Sequence, residues 1–164
     1  MAEGSPPTSE LRATAGCCRY SGRSVKILKG EKSVTRILIV DDDPSTRFVL
    51  RLILEREGHE ILEASDGVKA LEILNSEPLP DIVTSDLMMP MMSGFELVHR
   101  LRSDARTSAV PIVVVTSNPD AALSLASARM VNAIVSKPFT AAAFAESIRE
   151  VVSNESGRTV LESH

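Results

Sequence analysis

Four short apolar runs in this chain each lead into residues able to do chemistry. RILIV (36–40) is followed by Asp41, Asp42 and Asp43; DIVTS (81–85) by Asp86; PIVVV (111–115) by Thr116 and Ser117; NAIVS (132–136) by Lys137 and Pro138. Carboxylates brought together repel one another, and they stay ionised only if a cation joins them or one takes up a proton. A hard divalent cation with oxygen ligands answers that need best, and Mg²⁺ prefers a few carboxylates completed by waters and phosphate oxygens. Such an ion also neutralises charge on a transferring phosphoryl group. A carboxylate can itself be the nucleophile, forming an aspartyl phosphate. Lys137 and the Thr116 hydroxyl could hold the remaining phosphoryl oxygens. Together these residue types point to Mg²⁺-assisted phosphoryl transfer.

Whether the four ends meet depends on the elements between them. RILIV is β-rich, and Asp43-Pro44 after it reads as an N-cap with proline at the first helical position. Phe48, Leu52 and Ile53 share one face of the helix that follows, and Gly58 can stop it. HEILEA (59–64) reads as a second strand, and Asp66 as the cap of a helix carrying Val68, Leu71 and Leu74. DIVTS is a third strand. Ser93 with Glu96 forms a capping box for a helix that turns Phe95, Val98 and Leu101 inward. PIVVV, almost purely apolar, suits a strand buried on both faces. A helix around 119–130, the strand NAIVS and a last helix from near Thr140, with Phe144, Ile148 and Val151 in register, complete the chain. Strands alternating with helices in this way specify an α/β fold, a doubly wound parallel sheet of five strands covered on both faces. In such sheets the functional crevice lies at the carboxyl ends of the strands. That is where Asp41, Asp42, Asp86, Thr116 and Lys137 fall.

At this point the residues match a known family. Over about 36–153 the chain resembles the receiver domain of two-component response regulators, in its stand-alone, chemotaxis-receiver-like form. The motifs are ILIVDDDP, DIVTSDLMMPMMSG, PIVVVTS and SKPF, in the family's order and spacing. Asp86, Met89, Pro90, Met92 and Gly94 fall on its D-x-x-M-P-x-M-x-G pattern. Four ordered motifs are highly specific where one alone would be weak. The resemblance implies a flavodoxin-like (βα)5 fold with strand order 2-1-3-4-5. It implies Asp86 as phosphoacceptor, and Mg²⁺ held by Asp42 directly, by Asp41 through water, by Asp86 and by the backbone carbonyl of Met88. Thr116 becomes the switch hydroxyl and Lys137 the ammonium that pairs with the phosphoryl group, with a cis bond between Lys137 and Pro138. Met88 and Asn118, two residues past the acceptor and the switch hydroxyl, are expected to tune the lifetime of the phosphoryl group. The implied partners are a sensor histidine kinase or histidine phosphotransfer protein upstream and a protein target downstream, with no direct contact to nucleic acid. The chain would then be a phosphoacceptor, not a turnover enzyme.

Two departures from the family pattern bear on signalling. Ile134 stands where an aromatic residue often precedes the lysine by three positions, and Met130-Val131 replaces the usual small Gly-Ala pair. They lean toward a second reading, an interaction module that is never phosphorylated. A third reading takes Asp41-x-Asp43 after an apolar strand as resembling the haloacid-dehalogenase phosphatases. Asp41 would then be the nucleophile and Asp43 the acid/base, and the Asp86 motif would go unexplained.

Composition bounds the rest. Of 164 residues 43% are apolar, enough to bury a core, and the net charge of −4 is no footprint for wholesale binding to a nucleic-acid backbone. No apolar run approaches the roughly 18 residues of a membrane span, and no secretory signal opens the chain. Cys17 and Cys18, adjacent, make no disulfide framework. A cytoplasmic protein is therefore expected. Residues 1–34 carry six basic side chains against three acidic, leaving the remainder at −7. They read as a flexible basic tail before a receiver domain at 35–153, with a frayed tail at 154–164 and no room for an attached output domain.

Overall fold

A computed structural model describes residues 34–76 and 78–158. The expected basic tail, with Cys17 and Cys18, and the end of the chain lie outside the described residues. Five strands, β1 (Arg36–Val40), β2 (Glu60–Ala64), β3 (Ile82–Ser85), β4 (Ile112–Thr116) and β5 (Ala133–Ser136), alternate with five helices. The helices are α1 (Pro44–Arg56), α2 (Gly67–Asn75), α3 (Gly94–Ser103), α4 (Pro119–Ser127) and α5 (Ala141–Arg158). The strands form one parallel sheet in the order β2-β1-β3-β4-β5, as the family resemblance implies.

Successive side chains on a strand point to opposite faces, and this divides the core in two. Ile37, Ile39, Val113 and Val115 face α1 and α5, where Leu50, Leu54, Phe144 and Ile148 close over them. Leu38, Val40, Val83 and Val114 face the other way, toward Ala70, Leu74, Leu97, Leu101 and Leu125 of α2, α3 and α4. Every residue of β3 and β4 is buried, whereas β2 and β5 at the two edges are only partly covered. That gradient accounts for the nearly pure apolar runs in the middle of the sheet.

The helix starts follow local chemistry. Asp43 accepts from the amides of Ser45 and Thr46, Asp66 from that of Lys69, and Asn118 from that of Ala121. Ser93 accepts from the Glu96 amide, but the Glu96 carboxylate reaches forward to Arg100 at 2.7 Å, so α3 carries half of the expected box. Three further differences have physical causes. Phe48 and Leu52 are about half exposed; Leu50 and Leu54, also one turn apart, meet the sheet instead. In α3 Val98 and Leu101 are buried as expected and Leu97 is buried beside them, while Phe95 lies at the margin. α4 stops at Ser127, because Arg129 takes a left-handed conformation (φ 54°) that ends the helix before the expected residue 130.

Candidate functional site

The order β2-β1-β3 puts β1 and β3 side by side where the chain reverses its direction across the sheet, the point at which open parallel sheets form a crevice. Val40 pairs with Ser85, and the Asp86 amide donates to the Val40 carbonyl at 2.9 Å. Asp41 and Asp86 therefore leave the sheet as neighbours. On the far side Thr116 pairs with Ser136, and the Lys137 amide donates to the Thr116 carbonyl at 2.8 Å. This register turns the lysine side chain across the strand ends toward the carboxylates.

The Lys137 Nζ lies between two acids, donating to Asp41 Oδ2 at 2.7 Å and Asp86 Oδ2 at 2.6 Å. The other oxygens of these carboxylates are held by backbone amides. Asp41 Oδ1 accepts from Asp43 at 2.9 Å, and Asp86 Oδ1 from Met88 at 3.1 Å. Asp42 is exposed, yet it can bring a carboxylate oxygen into a group with Asp41 and Asp86 in which all three ligand atoms lie within 4.8 Å of one another. Thr116 is fully buried, and its Oγ1 accepts from the Asn118 amide at 3.1 Å. Met88 extends its side chain into solvent while its amide serves Asp86. The Lys137–Pro138 peptide bond is cis.

Burial pushes the Asp41 carboxyl above the usual carboxylate range, and the bonds from Lys137 and the Asp43 amide offset only part of that rise. For Lys137 burial works downward, but its bonds to Asp41 and Asp86 outweigh it, and the ammonium is held above its ordinary value. An ammonium thus takes part of the charge that the acids cannot share with water. The donor set is all oxygen and largely carboxylate, open on the Asp42 side. It fits a hard divalent cation such as Mg²⁺ and has nothing to offer a soft one.

Asp41, Asp42, Asp86 and Lys137 are therefore brought together, with Thr116 bordering the group. Asp43 stands apart, since both of its carboxylate oxygens cap α1. Two further residues, Gly94 and Arg47, shape the site. A Cβ on Gly94 would overlap the Asp86 carbonyl oxygen and come within 2.7 Å of Leu87 Cα, so only glycine lets α3 seat against the backbone of Asp86. Arg47, one turn into α1, reaches back to the carbonyls of Asp41 and Asp42. The glycine was visible as a motif position, but an arginine bonded to backbone leaves no such mark.

Known proteins resemble this chain in sequence and in fold. The response regulator receiver domain matches residues 37–149 of this chain. Protein PilH of Pseudomonas aeruginosa is 40% identical over 84 residues, which is 51% of this chain and 69% of PilH. The chemotaxis protein CheY homolog of Campylobacter jejuni is 32% identical over 129 residues, 77% of this chain and 99% of that protein. Among solved structures, the receiver domain of a Pseudomonas aeruginosa sensor histidine kinase has a magnesium ion coordinated in its active-site cleft. It superposes with a TM-score of 0.67 over 74% of this chain and 99% of its own, and at 21% identity that likeness is one of fold.

Proposed function

This chain belongs to the receiver-domain family of response regulators, and from that premise we propose that it is a phosphorylation-controlled signalling switch whose acceptor is Asp86. The observation that carries the proposal is the Lys137 ammonium bonded at once to Asp41 and Asp86, with Asp42 within reach of both.

The donor is a phosphohistidine on a sensor kinase or a histidine phosphotransfer protein. A carboxylate oxygen of Asp86 bonds to phosphorus as the bond from phosphorus to the donor imidazole breaks, and the electron pair stays on the ring nitrogen. Asp42, Asp86 and the Met88 carbonyl, with Asp41 through water, would hold Mg²⁺, which would neutralise charge on the phosphoryl oxygens. Lys137, already on Asp86, keeps a cation beside the group as it arrives. The Thr116 hydroxyl then turns to donate to a phosphoryl oxygen. In doing so it releases the Asn118 amide, and Asn118 is the cap of α4. A charge placed on Asp86 is in this way coupled to the start of a helix, and a protein target reads the altered surface. The phosphoryl group leaves by hydrolysis or by onward transfer, with Met88 and Asn118 tuning its lifetime.

The proposed receiver unit is 35–153, in a cytoplasmic setting; no described helix is long and apolar enough to cross a membrane. The phosphatase reading needs Asp43 as acid/base, and the engagement of both its oxygens in capping α1 speaks against it. The test is intact mass after incubation with acetyl phosphate and Mg²⁺. One phosphoryl group on the wild type, lost with EDTA and in Asp86→Ala, is the expected result. No adduct from this or a second small donor would sink the switch and favour the constitutive interaction module. An adduct that survives Asp86→Ala would move the acceptor to another carboxylate.

A further inference from the structure

Arg47 is 17% exposed and spends its guanidinium on the loop between β1 and α1. One nitrogen, Nη1, donates to the carbonyl of Asp41 at 2.7 Å and to that of Asp42 at 3.2 Å. Nε faces the Glu63 carboxylate of β2 at 3.5 Å, and Glu63 also accepts from Arg51 at 3.0 Å. A guanidinium is planar and its donors have fixed directions, so an anchor on one side sets what the other side can reach. Two consecutive peptide planes are held from behind in this way. Rotation of those planes is what would swing the Asp41 and Asp42 side chains apart, and Asp43 fixes the far end of the same loop as the cap of α1.

We propose that Arg47, braced by Glu63, is a positioning residue for the cation site: it holds the Asp41 and Asp42 carbonyls so that both carboxylates converge on one ion. This rests on the reading of Asp41 and Asp42 as cation ligands. It also has a sign that a charge effect cannot imitate. A positive side chain near a divalent cation repels it, so if Arg47 acted by charge alone, its removal would tighten binding. If it acts as a brace, its removal weakens binding.

The test is calorimetric titration of the full chain with MgCl₂, in the absence of any phosphoryl donor, beside thermal unfolding by circular dichroism. Arg47→Ala is expected to weaken Mg²⁺ binding about tenfold, the scale seen when residues that orient metal ligands are lost. Arg47→Lys keeps the charge and loses the fork, and should fall between wild type and Arg47→Ala. Glu63→Gln removes the brace and leaves the carbonyl bonds, so its effect should be smaller but of the same sign. Should Arg47→Ala fail to fold, Arg47→Lys decides: affinity equal to wild type overturns the proposal. Unchanged or tighter binding in a folded Arg47→Ala overturns it too, and a lowered melting temperature with unchanged affinity would make the residue merely structural. A wild type that binds Mg²⁺ while these variants bind equally defeats this inference alone; a wild type that binds no Mg²⁺ defeats the cation site and the inference together.

Discussion

The interior of the sheet and the Asp41 and Thr116 positions at its carboxyl edge are about equally buried and opposite in chemistry. Ile37, Leu38 and Ile39 are fully enclosed, and two residues further along the same strand Asp41 is 1% exposed. On β4, Val113 and Val114 give way to Thr116 with no gain in exposure. Burial below the edge removes apolar surface from water and stabilises the fold. At the edge the same burial strips water from carboxylates and costs stability, unless an ammonium or a cation takes its place. Within two residues the chain thus passes from a source of stability to a cost.

Three substitutions can break or sharpen that contrast. The largest effect belongs to the interior. Ile39→Ala should cost about 2–5 kcal/mol by denaturant titration, and Mg²⁺ should recover little of it. Next comes the bridge between the regions. Lys137→Ala leaves Asp41 and Asp86 facing each other without their ammonium, and should cost on the order of 1–3 kcal/mol. Here added Mg²⁺ should raise the melting temperature by more than it does in wild type. An equal rise in both would mean that lysine and cation do not relieve the same repulsion.

The smallest effect has the opposite sign. Asp41→Asn should stabilise the cation-free protein, on the order of 1 kcal/mol at neutral pH. The pH profile shows why. The folded-state pKa of Asp41 is raised above the ordinary 3.8, so the folded protein binds the proton more tightly than the unfolded chain. Stability is therefore gained as pH falls from neutral through that raised value toward 3.8. Asp43 and Asp66 are held below 3.8 by their capping bonds, and their contributions run the other way, lost as pH falls through their folded values. Wild-type stability without cation should rise and then drop on acidification. In Asp41→Asn the rise should flatten and the drop remain. A variant that keeps the rise would place its origin elsewhere.

Much of this was legible in the chain. Apolar runs bounded by Asp, Ser, Gly and Pro mark strands and helix starts, and strand ends are where chemistry-bearing side chains stand out. Asp41, Asp42, Asp86 and Lys137 are legible for that reason. The face of α1 was not. Apolar residues at 48, 49, 50, 52, 53 and 54 give the helix more than one stripe, and only contact with the sheet selects Leu50 and Leu54 over Phe48 and Leu52. The reach of Arg47 was equally hidden, because its partners at Asp41 and Asp42 are carbonyls that every residue type carries. Gly94 shows a third kind of silence, in which the letter is visible but the backbone it must clear, at Asp86, is known only once the chain has folded.

The distance along the chain between Asp41 and Lys137 has a consequence for synthesis. They are 96 residues apart, and β5, which brings the lysine, pairs with β4 alone at the edge of the sheet. A ribosome reaches that strand last of the five. A nascent or truncated chain ending before Lys137 would hold both acids with no ammonium between them. The cluster of acids and ammonium is thus complete only once the last strand of the sheet is laid in place.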